Sequence, residues 1–363
     1  MDPLVVRGDE DFGRSIKGSL QGRLGKKMPY GSVIPPIGGS RPRCNDSDEW
    51  AWMGPGLKNI SVIIPAHDAG GTIAATIASL ASEIDLIEEI LVIDDGSSDD
   101  TVQAAGRAGQ KSNLPVKTIQ VRKFNAGAAR NTGIELAVAP WLYFIDADDI
   151  HLAGGLRSLL LRALETDHVD LVLGAYVRTI DGVSRTIDAP RGYGPSRIAN
   201  AENYLIDRRE TINIGSALIR TQAIAGEAFP EFVPYEEDTL FWVRLLTKLA
   251  VGKVSRPVMT YNISRLRSDE RLAIDPVQRF FAWRKGLREL SKVQISDEIL
   301  HRREGLVAIK IARVHFMRGN LKTARRFLLI ARPAPKDLRT RWRYWRYRFK
   351  IGGSSLFRIL TGA

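Results

Sequence analysis

Apolar residues in this chain gather in short runs separated by stretches with helical spacing, and the alternation begins at residue 60. Ile60-Ser-Val-Ile-Ile64 is a β-prone run closed by Pro65, after which Ile73, Ile77 and Leu80 share one helical face. Ile90-Leu-Val-Ile93 is a second strand, ending in Asp94-Asp95-Gly96, and Ser97-Ser98-Asp99 supplies N-cap chemistry for a helix from about Asp100. Val116–Val121 predicts a third strand, 127–137 a helix, Trp141–Ile145 a fourth strand, 152–165 a helix and Val169–Leu173 a further strand. Residues 178–200, rich in Gly, Pro and Arg, read as a loop. Beyond them come a helical stretch, a strand near Ile214–Ile219 and a helix from Asp238 to about Leu249. From Pro276 onward the pattern is helical, with Leu306–Met317 and Leu321–Ala331 forming an antiparallel pair joined at Gly319-Asn320. Strands alternating with helices predict a mostly parallel sheet flanked by helices, with right-handed crossovers.

The strand ends carry the chemistry. Trp141-Leu-Tyr-Phe-Ile145 suits a strand buried on both faces of a parallel sheet, yet it runs straight into Asp146, Asp148 and Asp149. Such charge is tolerated only where the chain emerges, and open α/β sheets bind ligands at those carboxyl ends. Two Asp separated by one residue offer hard oxygen ligands suited to Mg²⁺ or Mn²⁺ bridging phosphates. An acidic loop whose side chains cap the next helix is the alternative. No Walker sequence or G-x-G-x-x-G follows the first strand, which argues against P-loop and dinucleotide sites.

Composition adds three points. The 363 residues exceed what one small domain needs, and the lone Cys44 precludes an intramolecular disulfide and fits a reducing compartment. The first residues lack the order of a signal peptide, and no apolar run has bilayer-spanning length, so a cytoplasmic protein is expected, either free or on the cytoplasmic membrane face. The net charge of +12 is concentrated: residues 301–350 hold 16 Lys/Arg against Glu304 and Asp337, a local +14, so the rest is close to neutral.

Four segments in order resemble the signatures of the family 2 glycosyltransferases: Ser61-Val-Ile-Ile-Pro-Ala-His67, Glu89–Asp99 with Asp94-Asp95-Gly96 inside it, Asn125-Ala-Gly-Ala-Ala-Arg-Asn-Thr-Gly133, and Phe144-Ile-Asp-Ala-Asp-Asp149. The resemblance covers roughly residues 57–260. It implies an α/β GT-A fold, a Rossmann-like sheet, and a nucleotide-sugar donor. It places Pro65, Ala66 and His67 against the nucleotide, Asp95 at a uracil ring nitrogen, Asp146 near the ribose and Asp148 on a divalent cation, Mg or Mn. Asp94 stands as structural and Asp149 as assistant or cap. The family usually has Asn where this chain has Asp68. Gly127 and Arg130 lie behind the nucleotide, Arg130 toward carboxylates or diphosphate. Inverting transfer also needs a base for the acceptor hydroxyl. Tyr235-Glu-Glu-Asp238, ahead of Phe241-Trp-Val-Arg-Leu245, resembles the family's Glu-Asp motif, giving Asp238 as the base and Glu237 as its alternate. Acids favoured by a helix dipole are the competing explanation. The Gln-x-x-Arg-Trp motif of processive members is missing, so transfer of a single sugar is expected.

The segment Arg341-Trp-Arg-Tyr-Trp-Arg-Tyr-Arg-Phe-Lys350 alternates cations with rings; as a helix it would align Trp342, Trp345 and Phe349. That form suits an anionic membrane surface. Single-stranded nucleic acid fits the same composition but is not the expected partner, and packing onto upstream helices is the third reading. The expected organisation is an irregular arm over 1–56, a glycosyltransferase domain over 57–265 and a basic, all-helical extension over 266–363. The expected activity is inverting transfer from a UDP-sugar to a glycan or lipid-linked saccharide in bacterial surface polysaccharide synthesis. A sugar-phosphate nucleotidyltransferase and a non-catalytic membrane-associated partner are the alternatives.

Overall fold

The computed structural model describes residues 4–5, 58–165, 168–190, 193–207, 211–263, 269–270, 272–331, 341–342 and 344–351. Its first half follows the apolar runs: β1 (Leu4–Val5), β2 (Ile60–Ala66), α1 (Ile73–Ser79), β3 (Ile87–Asp95), α2 (Thr101–Lys111), β4 (Val116–Val121), α3 (Ala126–Leu136) and β5 (Trp141–Phe144). Then come β6 (Ile150–His151), α4 (Gly155–Leu164), β7 (Leu171–Ile180), β8 (Val183–Ile187), α5 (Arg197–Ile206), β9 (Ala217–Arg220), α6 (Glu237–Leu246) and β10 (Val251–Ile263). Helices α7 (Pro276–Arg288), α8 (Asp297–Met317) and α9 (Leu321–Ile330) follow.

The sheet order is β1-β4-β3-β2-β5-β9-β7-β10-β6, with β8 paired to β7. The strands from β1 to β5 pair in parallel, while β9 runs antiparallel to both β5 and β7. From the central β2 the chain winds outward through β3 and β4, then returns to β5 on the other side. The β2/β5 boundary is therefore a topological switch point, with the ends of β2, β3 and β5 opening at one rim. Alternation of side chains divides the core between the faces. Ile63, Leu91, Ile93, Leu142 and Phe144 pack into one apolar cluster that continues through α6 to Trp283, Phe280 and Phe327 of the C-terminal helices. Val62, Ile64, Ile90, Val92 and Tyr143 point the opposite way and pack with α1, α2 and α4 on the other face.

The structure departs from the pattern in four places. Residues 178–200 are not one loop. Strand β7 continues to Ile180 and turns back into β8 through Asp181-Gly182, both at positive φ (49° and 80°), the geometry of a two-residue hairpin. The solvent-exposed β8 lacks the apolar run that marks a buried strand. Strand β10, paired in parallel with β7, is interrupted in pattern by Pro257, where the register shifts. Ile214–Ser216 form a 3₁₀ turn before β9 instead of its first residues. Leu4–Val5, within the expected irregular arm, pair with Ile119 and Gln120 at the edge of β4; the arm's residues 6–56 lie outside the described residues. Helices α8 and α9 form the expected hairpin, with Gly319 at φ 76° in the turn and Asn320 Oδ1 accepting from the Thr323 amide at 3.2 Å.

Candidate active site

The three strand ends and the N-terminus of α6 enclose a crevice of about 890 Å³. Pro65, Ala66, His67, Asp95, Arg130, Asp146, Asp148, Glu237 and Asp238 all line it. Residues more than a hundred positions apart are thus brought together by the topology.

The β2–β3 side of the crevice is built from loops locked to each other. After β2 the chain turns at Asp68, at φ 47°, whose carboxylate accepts from the Ser98 amide (2.8 Å) and hydroxyl (3.1 Å). The Ser98 amide bond holds the Asp68 carboxyl below its ordinary value. Asp68 is thereby committed to joining the loops after β2 and β3. His67 Nδ1 lies 2.8 Å from the Asp95 carbonyl, with its exposed ring edge-on to Phe124. Asp95 is 3% exposed, and its carboxylate accepts from the amides of Lys123 (2.6 Å), Phe124 (2.8 Å) and Asn125 (2.6 Å). It therefore holds the entry to α3, and a carboxylate with four lone-pair positions retains room for one more donor. Asp94 is buried against Gln120 and does not line the crevice.

Helix α3 carries the central cation. Asn125 caps it by accepting from the Ala128 amide at 3.0 Å. Asn131 exchanges two hydrogen bonds with the Phe229 backbone, at 2.9 and 2.8 Å, fastening the segment before α6. A Cβ on Gly127 would sit 3.1 Å from Phe229 Cβ and 3.4 Å from Glu237 Cγ, so a small residue lets α6 approach. Arg130, 5% exposed, then donates to Asp146 at 2.7 Å and to Glu237 at 3.1 Å, with its guanidinium 5.3 Å from the Phe229 ring centre. Burial opposes its charge, but Asp146 and Glu237 outweigh burial and raise its pKa above the usual arginine value. One buried cation thus ties the β5 acids to the α6 acids.

The three acids after β5 separate by environment. Asp146 pairs with Arg130, and Asp148 lines the crevice. Asp149 is fully buried, accepts only a 3.4 Å bond from the Asn262 amide on Oδ1, and leaves Oδ2 without a partner. Burial first, then Asp146 and Asp148, pushes its carboxyl up to about 9, so it is neutral at pH 7. None of the three caps α4, whose N-cap is Gly154 with no acid in the first turn; the capping alternative fails. Among the described residues no three acidic, His or Cys side chains converge as a complete metal cage. The donor set instead fits Mg²⁺ or Mn²⁺ held by one or two carboxylates with the remaining positions filled by phosphate and water.

Helix α6 is preceded by Glu236, whose φ of 58° is unusual for a non-glycine residue. Arg303 of α8 holds Glu236 with a 2.8 Å ion pair and donates to the Leu205 carbonyl at 2.9 Å. This turn sets Glu237 and Asp238 at the crevice. Asp238 accepts from the Thr239 amide at 2.7 Å. Desolvation and then Glu237 push its carboxyl up to about 7, against the opposing pull of Arg130. The sequence did not single out Tyr261, Phe124 or Lys310, which also line the crevice. Phe124, 72% exposed at φ 50° beside the Asn125 motif, was the one with a visible signal.

Fold and site together define a class: an open α/β sheet with a nucleotide-type crevice, divided between strand-end acids and a helix-borne carboxyl of near-neutral pKa. Residues 61–225 match the model for glycosyl transferase family 2. The chain is 28% identical over 196 residues to the poly(ribitol-phosphate) beta-N-acetylglucosaminyltransferase TarP of Staphylococcus aureus strain N315, covering 52% of this chain and 58% of that protein. It is 32% identical over 117 residues to the UDP-Glc:alpha-D-GlcNAc-diphosphoundecaprenol beta-1,3-glucosyltransferase WfgD of Escherichia coli, covering 32% and 45%. The chain thus spans about half the length of these relatives. The crystal structure of S. aureus TarS 1-349 in complex with UDP-GlcNAc superposes with a TM-score of 0.53 at 18% identity, over 75% of this chain and 81% of that one. That likeness establishes the GT-A fold.

Proposed function

We propose that the chain is an inverting glycosyltransferase that moves one sugar from a UDP-sugar to a glycan or lipid-linked saccharide in bacterial surface polysaccharide synthesis. The observation that carries the reading is the convergence of Asp146 and Asp148 with Asp238 across Arg130 in one crevice. A carboxyl with a pKa of about 7 is matched to removing a proton at neutral pH. As the acceptor oxygen attacks the anomeric carbon, its proton passes to Asp238. The bond from that carbon to the diphosphate breaks, and the nucleoside diphosphate leaves with the electron pair. No covalent enzyme intermediate is needed. Asp148 would hold a divalent cation, which when bound neutralises charge on the leaving diphosphate, while Asp146, paired with Arg130, lies toward the ribose. Arg130 keeps Asp146 and Glu237 in register, while His67, Asp95 and the Phe124 ring frame the base and ribose.

TarP acts on poly(ribitol-phosphate) and WfgD on a diphosphoundecaprenol-linked sugar, and both support an acceptor of the cell envelope. The C-terminal segment suits such a setting. Residues 341–342 and 344–351 are helical, Tyr344 and Ile351 face inward, and Trp342, Trp345 and Phe349 are 61%, 42% and 72% exposed. No helix among the described residues is long and apolar enough to cross a membrane, so this aromatic face would bind peripherally, on the cytoplasmic side.

The test is a thermal-shift and product screen of UDP- and GDP-sugars with and without Mn²⁺. UDP-sugars with Mn²⁺ should raise the melting temperature, and Asp148→Asn should remove the metal-dependent part. Full transfer in EDTA would overturn the metal role, and release of a sugar nucleotide from a sugar phosphate and a nucleoside triphosphate would overturn the transferase reading.

A further inference from the structure

A second cavity, of about 260 Å³, opens beside the crevice between the end of α5, the first turn of α6 and α8. The two spaces share Ile212, Glu236, Asp238, Thr239 and Lys310, so they meet at the proposed base. None of the strand-end acids at the proposed donor site reaches the second one. Its walls are those of a sugar site. Tyr204, Asp207, Thr211 and Thr239 offer hydroxyl and carboxylate partners, and Ile212 and Val307 offer apolar surface.

Helix α8 contributes two cations, Arg303 and Lys310, seven residues apart and hence two turns along one helix face. Their situations differ. Arg303 is neutralised by Glu236. Lys310 is half-buried and has no hydrogen-bond or ion-pair partner among the described residues. The acid nearest to it in sequence on α8, Glu304, is already held by Arg284 and Arg288. The cavity also holds Asp207, Glu236 and Asp238, of which Glu236 is taken by Arg303. A half-buried ammonium that none of these acids pairs with directly, facing the cavity that adjoins the base, is suited to a ligand that brings its own negative oxygen.

We propose that this cavity is the acceptor site and that Lys310 selects an acceptor bearing an anionic oxygen group, phosphate or carboxylate, near the hydroxyl that Asp238 deprotonates. The proposal rests on the glycosyltransferase reading above. It adds the charge class of the acceptor and a selecting residue that lies outside the segment matching the family model. The C-terminal helices then have two duties at the site: Arg303 sets the turn that carries Asp238, and Lys310 reads the acceptor.

The experiment measures binding of glucose 1-phosphate, glucuronate and glucose by the full chain, with Mn²⁺ and saturating UDP filling the donor crevice. Wild type, Lys310→Gln and Lys310→Arg are compared after their melting temperatures are shown to match. Wild type should prefer at least one charged sugar over glucose by roughly ten- to a hundredfold, the range for a hydrogen bond to a charged group. The phosphate and carboxylate arms identify which anion is read. Lys310→Gln should erase the preference, Lys310→Arg should keep most of it, and UDP affinity should not change. A preference that survives Lys310→Gln, or is absent in wild type, overturns the proposal. A parallel fall in UDP affinity also overturns it, by making Lys310 a donor ligand. If wild type binds no UDP, the donor reading fails by itself, and the same comparison without nucleotide still decides the role of Lys310.

Discussion

Replacing Asp238 with Asn should abolish transfer and, at alkaline pH, make the protein more stable. The Asp238 carboxyl moves from an ordinary value of 3.8 to about 7 in the folded chain, through desolvation and the neighbouring Glu237. A raised folded value means that the native state holds this proton more tightly than the unfolded state. The stability so gained is complete below about pH 4 and is lost as pH rises through about 7. Above that, the native state carries a carboxylate in a poor environment. A shift of about three units at roughly 1.4 kcal/mol each gives an upper value of about 4 kcal/mol. The crevice is open to water, and screening brings the expectation to about 2 kcal/mol. Asn keeps the size and the acceptor for the Thr239 amide but cannot ionise. Urea unfolding of the nucleotide-free wild type and variant at pH 4 and pH 8.5 measures the difference directly. The variant should gain about 2 kcal/mol relative to wild type between those two pH values, while transfer falls by about 10²–10⁴-fold, the range for loss of a general base. Wild-type turnover should rise through about pH 7. An equal stability difference at both pH values would refute the reasoning, because the Asp238 environment would then not favour the neutral acid.

Three other perturbations bear on the architecture. Gly133→Ala would place a Cβ 2.4 Å from Ile63 Cγ2, forcing α3 away from β2; about 1–3 kcal/mol should be lost in a thermal or urea melt, and an unchanged melt would show that the interface yields. Arg130→Met leaves Asp146 and Glu237 without their buried cation, so about 3–5 kcal/mol of stability should be lost, and the pH at which turnover rises should move upward because Arg130 lowers the Asp238 pKa; a variant as stable as wild type would contradict the ion-pair geometry. Changing Trp342, Trp345 and Phe349 together to Ser should leave the melting temperature near wild type but weaken cosedimentation with anionic vesicles about tenfold or more; equal binding would remove the aromatic face from membrane contact.

How much of this was legible depended on burial. Strands β2, β3 and β5 are covered on both faces, so they read as unbroken apolar runs, and their acids could be assigned to one rim from the runs alone. The hairpin β7–β8 and strand β10 were lost for the opposite reason. β8 is exposed and has no apolar run, and Pro257 divides β10; Asp181-Gly182 was the signal that could have exposed the turn. Among the acids, spacing nominated Asp146, Asp148 and Asp149 together. The fold adds what spacing cannot show: burial, with Asp146 and Asp148 beside it, keeps Asp149 neutral against the opposing pull of the Asn262 amide, which comes from a strand more than a hundred residues later. The Arg130 pairing was equally hidden, since Glu237 lies 107 positions away.

Lys310 illustrates the sharper limit. In the sequence it is one of 16 cations in a basic stretch, and bulk charge there points to a surface and not to a site. The fold distinguishes it by position: Arg303 is occupied by Glu236 and Arg313 by Asp269, whereas Lys310 lines both cavities. It is a cation at the seam of two cavities, on a helix that also fixes the turn bearing Asp238. The segment matching the family model supplies the strand-end wall of the crevice, but the conformation of the turn that bears Asp238 depends on α8. Acceptor recognition and base placement would then be coupled through one helix, so a change in α8 that retunes the acceptor should also shift the pH dependence of transfer whenever it disturbs the Arg303–Glu236 pair.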